Sequence, residues 1–461
     1  MKRIACCLLV ATSCLAASGG EAAVRPRYGG TLRIETQALL TSLDPKEVSN
    51  NEAEAIARQR ILPLVFETLV GIDAESRAHP RLAVAWQSDL SFRRWQFYLH
   101  PGVRFQDGTL LASAIVMQSL AGAHPDWTMH SEGDSLVIES ETPQPGLLAE
   151  MALLRNSIVR RSTSGEWLGT GPFRITNWQA AKILELAANE TCWSGRPFVD
   201  AIQIQLARSS RDQMLALQLG KADLIELGAE QISRITSESK GARVSLPMNL
   251  LALAARPAGK AEDQRVREAL SAAVDRKSIQ NVLLRGGSEV TASVLPSWMS
   301  GYAFLFPAQV DTARARQLVT GMKLASPLTL SYEVEDPLGH LIAERIALNA
   351  REAGLQVQPL PSAANADLRL THILLSSPDP GAALAEAVQS AGVKLELNAI
   401  RADDLYAAEK KVLEGSLLIP LCHTPIASIA GERVRNWPAE KLGAWPLAGV
   451  FLDPIGDTAR P

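Results

Sequence analysis

The stretch WQFYLHPGVRFQDGT, residues 95–109, is where the fold is first legible. Trp95, Phe97 and Leu99 alternate with Gln96, Tyr98 and His100, the period of a strand with one buried face. Pro101-Gly102 turns this strand toward Val103 and Phe105, which predicts a hairpin. Asp107-Gly108 then turns the chain into an apolar run, 115–120, that predicts a helix.

Upstream, Gly29-Gly30 precede the alternating Thr31-Leu32-Arg33-Ile34, a strand that SLDP (42–45) breaks. Ile56, Ile61, Leu64, Val65 and Leu69 follow at mostly helical spacing over 53–70, with Pro63 expected to kink or restart the helix. Downstream, 135–140 reads as a strand. In GTGPFRITNW, 169–178, Gly169 and Gly171 suit a tight backbone path and Phe173 begins a strand that ends near Trp178. A phosphate cradle would need a helix N-terminus after its glycines; Pro172 and a strand follow instead, so that reading is rejected. Over 263–287, Val266, Leu270 and Val274 recur every four residues, Asp275 suits a second helix as its cap and Gly286-Gly287 ends it. Strand 328–333, helix 339–354 and strand 355–360 form a β-α-β unit that implies a small α/β lobe. Residues 405–413 and 417–421 read as a helix and an apolar strand, and LLSSPDPGAALAE (374–386) as a turn feeding an Ala-rich helix.

At 461 residues the chain exceeds one hydrophobic core, so two or three domains are expected. Its 47% hydrophobic and 21% charged composition is that of a folded globular protein, and a net charge of −3 without a basic tract makes nucleic acid an improbable partner. Residues 1–23 read as a signal peptide: Lys2 and Arg3 lead an apolar run from Ile4 to Ala17, and small residues follow. Export to the periplasm is expected. A lipid anchor on Cys14 is the weaker alternative, because Ala11-Thr12-Ser13-Cys14 makes a poor lipobox. Only Cys192 and Cys422 remain beyond the leader; they could pair or stay as two separate buried thiols.

Signatures of catalysis are missing. The seven histidines are scattered, no Cys-x-x-Cys or His-Glu-x-x-His pair occurs, and there is no Gly-x-Ser-x-Gly elbow. Adjacent Cys422 and His423 would point to opposite faces of a strand, and the favoured reading is a buried Cys beside a partly exposed His. No metal site, no cofactor and no enzyme are expected.

Taken in order, the motifs resemble solute-binding protein family 5, the extracytoplasmic peptide- and nickel-binding components of ABC importers. They are YGGTLRI (28–34), SLDP (42–45), VFETLVGID (65–73), PRLAVAW (80–86), the opening stretch, GTGPFRITNW, NETCWSGRPFVDAIQI (189–204), ALQLGKADL (216–224), VREALSAAVDR (266–276) and VLEGSLLIPL (412–421). The resemblance implies an α/β fold of the periplasmic-binding-protein type II, two lobes joined by a hinge and closing on a ligand, with an additional domain on the first lobe. The first lobe would hold 24–61, 161–248 and 415–461, the additional domain 62–160, and the second lobe 249–414. It further implies a monomer that binds a small solute or peptide and works with an inner-membrane ABC permease.

The chain also departs from the pattern. Where such members begin a helix Leu-Thr-Ala-Glu-Asp-Val, it has Leu111-Ala112-Ser113-Ala114-Ile115-Val116, which costs a cap of about 1 kcal/mol unless Ser113 serves one residue later. Ala255 stands where an Asn is usual, and segments 121–134 and 380–405 are compact. In peptide-binding members an aspartate four residues before the turn's Pro pairs with the peptide ammonium; counting back from Pro380 gives Ser376, a neutral hydroxyl. The expected ligand contacts are Ser376, Ser377 and Asp379 with Trp178 and Thr170, although Asp379 equally suits a residue stabilising its own turn and Trp178 a core aromatic. The alternative function is a degenerate member acting as a sensor, chaperone or interaction module; direct nickel or haem ligation is disfavoured by the scattered histidines.

Overall fold

The structure is a computed structural model and describes residues 25–454, except 48, 50, 122, 125–126, 236–240, 257–258, 323–325, 335, 393–403 and 440. The proposed leader, with Cys14, lies outside these residues.

One large mixed sheet runs through the molecule. Its strand order is Phe173–Gln179, Ile183–Ala188, Ala201–Gln205, Thr31–Glu35, Leu224–Leu227, Leu418–Ala430, Ala242–Ala255, Leu368–Leu374, Leu328–Tyr332 and Val357–Pro361. Thr31–Glu35 is parallel to both its neighbours, and so is Leu328–Tyr332. Each parallel group needs crossover helices, and the two groups meet at the long antiparallel pair 242–255 and 418–430. This is a mixed α/β fold built as two halves on shared strands.

The apolar run Leu250 to Ala255 explains how those strands are buried on both faces. Leu251, Leu253 and Ala255 enter one core with Val266, Leu270, Leu328 and Ile346. Their neighbours Leu250, Ala252 and Ala254 enter another, with Ile373, Leu384 and Val412. A strand sandwiched in this way reads as continuously hydrophobic. A third core gathers Leu32, Ile34, Ile61, Phe66, Phe173, Ile202 and Leu224 around the other half.

A separate four-stranded antiparallel sheet, Ala83–Ser88, Arg94–Leu99, Ser135–Glu139 and Thr128–Glu132, builds a further core with Trp95, Phe97, Val116 and Leu136. Here the hairpin expected from the opening stretch is corrected. The strand Arg94–Leu99 pairs with 83–88 and 135–139, while beyond Pro101-Gly102 only the isolated bridge Arg104↔Leu110 forms. Val103 and Phe105 are fully buried and turn inward to the core instead of back along the strand. Their segment docks on GTGPF: the Gln106 side chain accepts from the Gly169 N–H at 3.0 Å and donates to the Phe173 carbonyl at 2.7 Å. A Cβ at Gly169 would lie 1.9 Å from the Val65 carbonyl oxygen, so the glycine is demanded by close approach.

Other elements follow their signals. The helix Glu52–Ile61 gives way at Pro63 to a 3-10 turn, Leu62–Leu64. Gln264–Ala273 is followed by a turn capped by Asp275, which runs on as the π-helical Ile279–Leu283. Ser113 does not cap its helix; its hydroxyl bonds Ser131 and the Gly133 carbonyl. Cys192 and Cys422 are separate buried thiols, and His423, expected to be partly exposed, is fully buried with Nε2 2.9 Å from the Val294 carbonyl. Among the described residues no helix is long and apolar enough to cross a membrane.

Candidate ligand-binding cleft

Two adjoining chambers, of about 340 and 140 Å³, open where the halves of the sheet and the small-sheet unit meet. Both are walled by Gln59, Leu153, Leu154, Leu374 and Ser376, so they form one cleft. The smaller is mainly apolar, with Phe66, Ile72, Met248 and Ile426. Arg58, Arg155, Arg369, His372 and Glu386 make the larger one polar. Together they match the scale of small-ligand pockets, roughly 300–1,000 Å³.

The helix Glu52–Ile61 positions the first wall. Asn51 caps it by accepting from the Glu54 N–H at 3.0 Å, and Arg58, about two turns on from the cap, is held by the carbonyls of Ser42, Asp44 and Glu47. Burial lowers the Arg58 pKa, against the pull of nearby acids. From the small-sheet unit comes Arg155, clamped by both carboxylate oxygens of Glu150.

The opposite wall is the strand Leu368–Leu374 and the helix Pro380–Ala391. Between them, Ser376 donates to Glu386 through its hydroxyl and, at 3.0 Å, through its N–H. Burial pushes the Glu386 pKa up, opposed by Ser376 and Arg155. His372 binds Glu52 across the cleft, with Nδ1 2.8 Å from Oε2, and its Nε2 lies 3.6 Å from Asp336. Asn249 also donates to Glu52, and Asn51 to Glu333 at 2.7 Å.

Of the expected contacts, Ser376 and Ser377 line the cleft. Asp379 caps the helix behind it, accepting from the Ala382 N–H at 2.9 Å. Thr170 is fully buried and donates to Glu67 at 2.7 Å, a carboxylate shared with the Trp193 indole N–H. Trp178 packs against the core of Leu32, Ile34 and Phe173. None of these three lines either chamber. Sequence reasoning missed Arg155, His372 and Glu386. For Glu386 a signal existed: it is the only charged side chain in the helix PGAALAEAVQSA.

Residues 77–394 match the family described as bacterial extracellular solute-binding proteins, family 5 Middle. The chain is 23% identical over 315 residues to the glutathione-binding protein GsiB of Pectobacterium atrosepticum, covering 62% of this chain and 60% of that one. It is 23% identical over 341 residues to the nickel-binding periplasmic protein of Escherichia coli, covering 64% and 65%. The match therefore spans less than two thirds of these relatives' own length. In structure the chain resembles the periplasmic binding protein DppA of Helicobacter pylori in complex with the peptide STSA, with a TM-score of 0.77 at 16% identity over 93% of this chain and 99% of that one. At that identity the likeness is one of fold. With more than half its length matched, the chain belongs to the bacterial extracellular solute-binding proteins, family 5.

Proposed function

We propose that the protein is the exported, extracytoplasmic binding component of an ABC importer, carrying a peptide or similar small solute to its permease and catalysing no reaction. The observation that carries this reading is the cleft. Its walls come from both halves of the sheet and from the small-sheet unit, the arrangement that lets two lobes sequester a solute by hinge closure. In this proposal the lobes are 24–61 with 161–248 and 415–461, and 249–414, with 62–160 as the additional domain. Ser376 and Ser377 contact ligand; Thr170 and Asp379 brace the walls. The relatives named for glutathione and nickel, and the structural neighbour holding a peptide, support a small solute as cargo.

Native mass spectrometry of protein purified from its own periplasm tests this. A stoichiometric small molecule, lost on unfolding, is expected; a consistently empty protein that retains a macromolecular partner would favour the sensor or interaction module. One observation leans toward that second reading: side chains of the two halves already pair across the boundary, Glu52 with His372 and Asn51 with Glu333.

A further inference from the structure

The hairpin Val70–Ile72 and Ala78–Pro80 belongs to neither sheet: among the described residues its two strands pair only with each other. At its root Leu69 and Val70 are fully buried in the core of the small-sheet unit, and Val70 stands opposite Pro80, which has no N–H to give the ladder. The tip, 73–77, holds its own shape. One Asp73 carboxylate oxygen accepts from the N–H groups of Glu75 and Arg77 at 3.0 and 2.9 Å, the other from the Arg77 guanidinium at 2.9 Å, and the Asp73 N–H donates to the Arg77 carbonyl at 3.0 Å. Ordered from within and rooted on so short a ladder, the tip can move as one piece.

That tip is tied to the far walls of the smaller chamber. Gly71 and Ile72 of the hairpin form one wall, Ser377 and Pro378 a second, Leu442 and Ala444 a third. Ser76, at a left-handed φ of +60°, donates its hydroxyl to the Pro378 carbonyl at 2.8 Å, and Glu75 accepts from the Lys441 ammonium at 2.6 Å. The other charged groups nearby make no such tie: Arg77 pairs with Asp73 and Glu75 inside the tip, and Arg81 walls the chamber beside Gly71.

The two ends of the cleft are fastened unequally. At the larger chamber the side chains of Glu52 and His372 are 32% and 19% exposed, whereas those of Glu75 and Lys441 are 50% and 63% exposed. An exposed ion pair shifts an open–closed equilibrium by about fivefold at most and is screened by salt; a pair largely withdrawn from water is screened far less. The tip is therefore the end that yields first.

We propose that residues 73–77 form a strap over the smaller chamber, fastened by Glu75 on Lys441 and Ser76 on Pro378, and that solute enters and leaves beneath it while the Glu52–His372 end stays closed, an inference that rests on the solute-binding reading of the cleft. Release of the strap exposes the smaller chamber first, and the larger one is reached through it, since both share Gln59, Leu153, Leu154, Leu374 and Ser376 as walls.

The test needs no solute. Ile426→Cys on the wall of the smaller chamber and Thr371→Cys on that of the larger are alkylated with iodoacetamide, a small uncharged probe, in the full exported chain; the parent chain controls for the buried Cys192 and Cys422. Adding Lys441→Glu or Glu75→Lys should speed alkylation at both positions by about two- to fivefold, and adding the two together should restore the slower rate. About 1 M salt, where the screening length falls to about 3 Å, should speed the parent pair and slow Lys441→Glu, whose like charges it screens. Should Ile426→Cys lose its thermal transition, Met248→Cys on the same wall takes its place. Rates at 426 that ignore both charge reversals, or a double reversal that stays fast, overturn the strap; a rate at 371 that ignores them overturns the route. Each of these results leaves solute binding to be decided by the native mass spectrometry alone.

Discussion

Glu52 Oε2 stands 2.8 Å from His372 Nδ1, joining the first turn of the helix Glu52–Ile61 to the strand Leu368–Leu374 on the far side of the cleft. Burial opposes the charged imidazole, but the carboxylates of Glu52 and Asp336 outweigh it and push the His372 pKa up to about 10. Asp336 is held low by the same histidine and by the N–H groups of Gly339 and Leu338, against its own burial.

Glu52→Gln should therefore loosen closure. Spin labels on the two lobes should report a longer mean distance, and stability should fall by about 1–3 kcal/mol, less than for a fully buried pair because both side chains retain some solvent contact. The pH dependence has a definite sign. A pKa raised in the folded protein gives a contribution complete below the unfolded value near 6.5, which shrinks as pH rises and is gone above about 10. The stability difference between wild type and His372→Gln, followed by urea denaturation from pH 6 to 10.5, should narrow toward the alkaline end; a difference constant with pH would refute the charged pair.

Gly169→Ala should cost more than Gly102→Ala. At 169 a methyl would sit 1.9 Å from the Val65 carbonyl and 2.8 Å from the Phe66 ring, so backbone must move. At 102 the space is open and only the positive φ of +79° is strained, about 1 kcal/mol. Chemical denaturation should show the first substitution costing roughly 3 kcal/mol or more.

Glu409 is fully buried and accepts from the Ser293 hydroxyl and from the N–H groups of Val294 and Leu295, at 2.6, 2.6 and 3.0 Å. All three bonds fall on Oε1. Glu409→Ala strands those donors and should cost about 3–5 kcal/mol. Glu409→Gln keeps a carbonyl oxygen for them and should cost less, a contrast readable in thermal melts.

Asp379→Ala removes a helix cap and should lower stability by about 1 kcal/mol. Ligand preference, measured by competition between two solutes, should stay as in wild type; a change in preference would make Asp379 a ligand contact as well.

The strands and caps were legible because their causes are local. Alternation placed 31–35 and 173–179, a carboxylate before a helical run placed the cap at Asp275, and Pro63 ended a helix as its ring must. The ordered motifs carried the family and its fold. The hairpin at 95–105 failed because the partner of a strand is chosen by distant residues: Arg94–Leu99 finds 135–139 across the helix, and local turn chemistry does not encode that choice.

By itself, then, the sequence determined which segments extend, which coil and where they stop, since these depend on periods and backbone preferences within a few residues. The cleft was decided by tertiary structure alone. Glu52 and His372 stand 320 positions apart in the numbering and Arg155 lies on a third unit, so only packing of the lobes brings their charges together. Ser376 shows both limits. The sequence marked it as a place where a carboxylate is missing, and folding brought one to it, Glu386, from two turns along the next helix.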